Sequence, residues 1–175
     1  METSRTKLSM SIASFSKLRE NDLLYIDKTR FIQALEDLGI RHALLMRPRR
    51  FGKSLFLSTL ETYYDRNEAE SFDRYFAGTF IGAHPTTTQG QYAVLHIDFS
   101  GISYSHHGRD FCANLVSVFY RFYDNYKLEA LRPLLSRDVP DPSPLMRDFF
   151  SIVAKHLPLK LMLLIDEYDH MEMCF

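Results

Sequence analysis

The chain is poor in several of the features that would assign a sequence of 175 residues to a special class. It has only two cysteines, Cys112 and Cys174, far apart in the sequence, so no disulfide framework is expected and a reducing compartment, the cytoplasm, is the natural setting. Long hydrophobic runs are missing. The longest, Leu161 to Ile165, is far too short to span a bilayer, which removes a membrane from the expected partners. The amino terminus, METSRTKLSM, has no apolar stretch followed by a small-residue cleavage site, so it does not read as a signal peptide. An excess of charge is missing too: a formal net charge of -1 gives no global basicity that would demand nucleic acid or an anionic surface. Internal repeats and low-complexity blocks are also absent. What remains, 46% hydrophobic and 25% charged residues, is the composition of an ordinary globular protein, long enough for one domain with a real core.

Periodicity divides the chain into alternating elements. Residues 1–13 are expected to be loosely ordered. Phe31, Ile32, Leu35 and Leu38 are spaced for one helix face, with Gly39 where a helix stop is expected. His42 to Met46 is a short apolar run stopped by Pro48, consistent with a buried strand. From Lys53 to Tyr64 the apolar residues recur at helical spacing. A mixed stretch from Asp65 to Gln91 contains an evident loop, HPTTTQG, and Tyr92 to Ser100 reads as a second buried strand. Phe111, Leu115, Val118, Phe119, Phe122 and Tyr126 mark a long amphipathic helix. Ser143-Pro144 resembles an N-cap with proline at the first helical position, opening a helix from Leu145 to Leu157. Leu161 to Ile165 is a third apolar strand and runs straight into Asp166-Glu167. Strands alternating with helices predict an α/β fold with a largely parallel sheet.

The segment LLMRPRRFGKSLFLSTL, Leu44 to Leu60, carries the chemical question. A phosphate-binding loop has the pattern G-x-x-x-x-G-K-[ST], and Arg47 stands where its first glycine belongs. The phosphate ligands of such a loop are backbone N–H groups converging at a helix N-terminus, here from about Arg50 through Phe51, Gly52 and Lys53 to Ser54. None of these is proline, and Pro48, which lacks an N–H, falls early in the loop. Lys53 supplies a point charge and the Ser54 hydroxyl a ligand for Mg²⁺. Arg47 therefore constrains the shape of the turn rather than removing a phosphate ligand. Gly-Lys-Ser triplets also arise by chance, and arginine-rich turns are commonly just solvated surface. The second acidic element weighs against chance: such loops work with a carboxylate at the tip of a neighbouring strand, which holds the metal through its water shell. Asp166 suits that role and Glu167 that of a general base.

Other polar groups carry less. His106-His107 has no cysteine or carboxylate at zinc-ligand spacing. His96 reads as a strand residue, Cys112 as a core residue, and the aromatic residues as core. Arg49 and Arg50 are solvated loop residues by default, with phosphate or a nucleic-acid backbone as possible contacts.

Four segments, SFSKLRENDLLYIDKTRFIQAL, LLMRPRRFGKSLFLSTLETYYD, YAVLHIDFSG and LMLLIDEYDH, together resemble the bacterial AAA-ATPase-like family. Its members carry Tyr-x-Asp-Lys-Thr, Arg-Pro-Arg-Arg-Phe-Gly-Lys-Ser/Thr and Leu-Ile-Asp-Glu-Tyr-Asp, in that order, and arginine at position 47 is similar to the family's own pattern. The resemblance implies a P-loop NTPase-like parallel sheet flanked by helices over residues 14–175. It also implies ATP or a related nucleoside triphosphate as ligand, Mg²⁺ held by Ser54 and Asp166, and Glu167 activating water. Tyr25, Asp27, Lys28 and Thr29 match the family's first motif, for which the sequence alone offers no physical role. Many members continue into a domain resembling PD-(D/E)xK nucleases, and the ATPase class places a further sensor strand after the Asp-Glu strand. The chain accordingly looks like the front part of such a domain, and nucleotide binding with weak or absent hydrolysis is the expectation. The alternatives are a basic-loop module that holds nucleic acid without hydrolysis, and a nonfunctional gene fragment. Oligomeric state is not legible.

Overall fold

A computed structural model describes residues 12–39, 42–46, 48, 51–100, 109–136 and 141–167. The chain divides into two compact units, residues 1–92 and 93–175. The expected loose segment 1–13 lies outside the described residues except for its last two.

The first unit is built around one buried helix. Helix α1 (Phe15–Glu20) starts at Ser14, whose side chain accepts from the Lys17 N–H. Six residues give too little periodicity to read from sequence, and tertiary bonds hold this helix instead. The Phe15 N–H donates to Ser58 Oγ at 2.9 Å, and the Arg19 guanidinium donates to the carbonyls of Tyr75 (2.7 Å) and Ala77 (2.6 Å). Helix α2 (Arg30–Asp37) is followed by Gly39 at φ +60°, the left-handed turn expected where the helix stops. Its apolar face is only partly used: Ile32 is fully buried, whereas Phe31 and Leu38 are exposed. Helix α3 (Lys53–Tyr64) fits its expected bounds and buries Phe56, Leu60, Tyr63 and Tyr64. A 3-10 turn (Arg66–Ser71), α4 (Phe72–Phe76) and α5 (Phe80–Ala83) fill the stretch that sequence left mixed.

One expectation fails here. Residues 42–46 form no strand, and Leu44 and Met46 are 66% and 79% exposed. A short apolar run satisfies the compositional signal, but a strand exists only through ladder bonds to a neighbour. Among the described residues this segment has none.

Strand β1 (Tyr92–Asp98), all but its first residue in the second unit, pairs in parallel with β2 (Lys160–Asp166), forming a two-stranded sheet. The Phe99 N–H extends the pairing to the Asp166 carbonyl at 3.1 Å. Helices α6 (Arg109–Asn125) and α7 (Pro142–His156) lie between the strands in sequence, as a parallel crossover requires. The core joins Leu95 and Ile97 of the sheet to Leu115, Phe119 and Phe122 of α6 and to Leu145, Phe149 and Val153 of α7. Phe119 stacks on Phe149 with centroids 3.9 Å apart. Cys112 is buried in this cluster, and burial pushes its thiol above the ordinary range, as suits a structural cysteine. The cap of α7 falls two residues earlier than Ser143. Asp141 accepts from the Ser143 N–H at 2.8 Å and Pro142 takes the first helical position, because aspartate caps as well as serine and Pro142 serves as well as Pro144.

Candidate functional site

The end of the loop sets up the start of α3. Gly52 precedes the helix at φ +74°, a left-handed conformation that L side chains rarely adopt. The first helical bond runs from the Phe56 N–H to the Gly52 carbonyl at 3.0 Å. The amides of Lys53, Ser54 and Leu55 therefore precede the ladder, and glycine offers no side chain to cap them. With Lys53 and Ser54 half-buried at the same end, this helix terminus combines open donors, a cation and a hydroxyl. Such a donor set fits a phosphate group. Phe51, 60% exposed, closes a turn whose N–H donates to the Pro48 carbonyl at 3.3 Å. Arg50, named with this group from sequence, lies outside the described residues, as do Arg47 and Arg49.

The Tyr-x-Asp-Lys-Thr segment, which had no role from sequence, is a brace. The first three N–H groups of α5 are each satisfied by a side chain. Asp27 Oδ2 accepts from Phe80 at 2.7 Å, Thr29 Oγ1 from Ile81 at 3.0 Å, and Thr79 Oγ1 from Gly82 at 3.1 Å. Asp27 Oδ1 also accepts from the Thr29 N–H at 2.8 Å. Partial burial raises the Asp27 carboxyl, but the amides of Thr29 and Phe80 outweigh it and hold the group below the usual carboxylate range. Tyr25 packs edge-on against Phe15 with centroids 5.0 Å apart. Burial pushes its phenol up, against the opposing pull of the Thr59 hydroxyl and the Lys28 amide beside it. Lys28 turns the other way: its Nζ donates to the Phe51 carbonyl at 3.4 Å. Only the fixed spacing of the motif hinted at this, and sequence could not say which member faced the loop.

In the second unit, Asp166 ends β2 and is buried. Its Oδ1 accepts from the Glu167 N–H at 3.0 Å, and Oδ2 has no hydrogen bond among the described residues. Glu167, the next residue, has φ +53°, which is uncommon for a non-glycine residue. Among the described residues no three His, Cys, Asp or Glu side chains cluster as a metal site. A hydrated Mg²⁺ needs only one or two carboxylates alongside substrate phosphates, and Asp166 with its open Oδ2 fits that chemistry.

An α/β protein with an anion-receptive helix terminus and an acidic strand end is the class these features define. The model of the family described as AAA-ATPase_like, Predicted AAA-ATPase, matches residues 9–173, and the chain belongs to that family. A curated relative, an uncharacterized protein in the vnfD 5' region of Azotobacter chroococcum mcd 1, is 52% identical over 66 residues. That match covers 37% of this chain and 13% of the relative's length. No solved structure matches. Family membership points to nucleotide binding in general.

Proposed function

We propose that the chain is a P-loop-type nucleotide-binding domain that takes a nucleoside triphosphate, ATP in the first instance, with Mg²⁺. The observation that carries this reading is the start of α3. Gly52 in the left-handed region leaves the amides of Lys53, Ser54 and Leu55 ahead of the helical ladder, beside the Lys53 charge and the Ser54 hydroxyl. Phe51 and Arg50 complete the loop by position in the motif. In this reading Ser54 is a metal ligand at the loop, while Asp166 and Glu167 take their roles from motif order alone, the one as a carboxylate that holds a metal through water and the other as a group that orients or deprotonates a water. Bound Mg²⁺ would supply charge neutralisation between the terminal phosphates. The chain's own contribution is to hold the triphosphate by backbone donors and to keep a carboxylate buried for the metal.

The test is nucleotide-dependent thermal stabilisation. Mg-ATP at a hundred times its Kd should stabilise the parent by about 2.7 kcal/mol by mass action. Lys53→Ala should lose most of this shift, because a charge-assisted contact to phosphate is removed. A Lys53→Ala chain that binds Mg-ATP as tightly as the parent would show the loop assignment to be wrong.

A further inference from the structure

We infer that Lys28 is a second phosphate-binding cation of the site, reaching the nucleotide from the Tyr-x-Asp-Lys-Thr segment rather than from the loop. The inference rests on the reading of the loop given above and adds to it a ligand outside the Gly-Lys-Ser triplet. Three observations combine. The Lys28 ammonium lies over the start of α3, 3.4 Å from the Phe51 carbonyl and 3.6 Å from where a β-carbon at Gly52 would stand. Its position is fixed from both sides, because Asp27 and Thr29 are tied to the first amides of α5. Among the described residues, no carboxylate forms an ion pair with it.

An ammonium has three donors, and one neutral carbonyl accepts from this one. Among the described residues no other group accepts from it, so two donors and the charge remain for a ligand at the helix end where an anion fits best. A lysine placed only to hold the Phe51 carbonyl would need no charge, and a neutral amide donor would serve equally. Gly52 is called for by its φ of +74°, and a β-carbon there would stand 3.6 Å from the Lys28 ammonium, in ordinary van der Waals contact. Bound phosphate would thus meet Lys53 from the helix and Lys28 from the preceding segment.

The experiment titrates the parent, Lys53→Ala, Lys28→Met, Lys28→Gln and Lys28→Arg with a fluorescent ATP analogue in Mg²⁺, and displaces the analogue with inorganic tripolyphosphate. Losing a charge-assisted contact should weaken binding by about tenfold or more in Lys28→Met and Lys28→Gln alike, with Lys28→Arg retaining most of the affinity. Tripolyphosphate alone should bind both neutral variants more weakly by a similar factor, because the lost contact is to phosphate rather than to base or sugar. If Lys28→Gln binds like the parent, the residue is a neutral brace and the inference is overturned. If the parent and Lys53→Ala bind equally well or not at all, the reading of the loop falls and this inference with it. Parent-like binding by Lys28→Met, with Lys53→Ala impaired, overturns this inference alone. Circular dichroism of each variant without ligand confirms that a loss of binding is not a loss of fold.

Discussion

Asp27 shows how much one side chain of the first motif does for the fold before any ligand is considered. Its two oxygens accept from two different segments, the Thr29 N–H beside it and the Phe80 N–H at the start of α5. Those bonds favour the charged form, so the folded carboxyl titrates below its ordinary value of 3.8. The sign of the linkage follows. A depressed folded value gives stability that is fully present above the unfolded value and lost as pH falls through the folded one. Asp27→Asn should therefore melt at a lower temperature than the parent at pH 7, and the gap should close on acidification below about pH 4. Melting curves at pH 7, 5, 4 and 3 check this. A gap that stays constant across the series would mean that charge contributes nothing at this position. Thr29, fully buried and accepting from Ile81, belongs to the same brace, which leaves Lys28 as the cation of the segment directed at the loop.

At the scale of elements, the second unit depends on the seam between α6 and α7. Phe149 is fully buried and has Phe119 stacked at 3.9 Å, Phe122 edge-on at 5.4 Å and Tyr123 stacked at 5.6 Å. Burial pushes the Tyr123 phenol up to about 12, in keeping with a ring held inside the cluster. Phe149→Ala should cost about 3–5 kcal/mol, a loss of hydrophobic transfer plus a cavity bordered by rings that cannot collapse into it. Urea unfolding followed by circular dichroism measures it, with half-buried Phe150→Ala as the comparison. An equal effect at both positions would show that the stack is not the anchor. These helices were legible because Phe111, Leu115, Phe119 and Phe122 repeat at helical spacing over many turns, and the same holds for α3. Helices α1, α4 and α5 were not legible: each has four to six residues, and their ends are set by Arg19, Asp27 and Thr29 from distant segments. The run at 42–46 misled for a related reason, since apolar composition says nothing about whether a ladder partner is in place. The candidate site was legible as residue types in order, through Gly52, Lys53, Ser54, Asp166 and Glu167. The approach of Lys28 to the loop was not, because it depends on which side of a brace one side chain emerges.

For the molecule as a whole, exposed apolar residues and a small net charge predict a tendency to self-associate. Ile26, Leu38, Leu44, Met46 and Phe51 expose between 60% and 79% of their surface, and all fall within one short span of the first unit. The net charge of -1 and a pI near 6.6 leave almost no repulsion between copies near neutral pH. Exposed apolar surface and low net charge act together, so each can be varied while the other is held. Light scattering of the purified chain should be highest near pH 6.6 and fall toward pH 9 as negative charge accumulates. The double variant Leu44→Glu/Met46→Glu adds two negative charges and removes apolar surface at once. Gln91→Glu/Ser117→Glu adds the same charge at exposed polar positions and leaves the apolar residues in place. If apolar contact drives association, the first variant should lower scattering at pH 6.6 well beyond the second, and it should also reduce the fluorescence of a bound hydrophobic dye. Equal effects from the two variants would assign the association to charge alone. Undiminished scattering in both would place the sticky surface elsewhere, for instance on Leu163 and Ile165 of β2, which are 39% and 41% exposed.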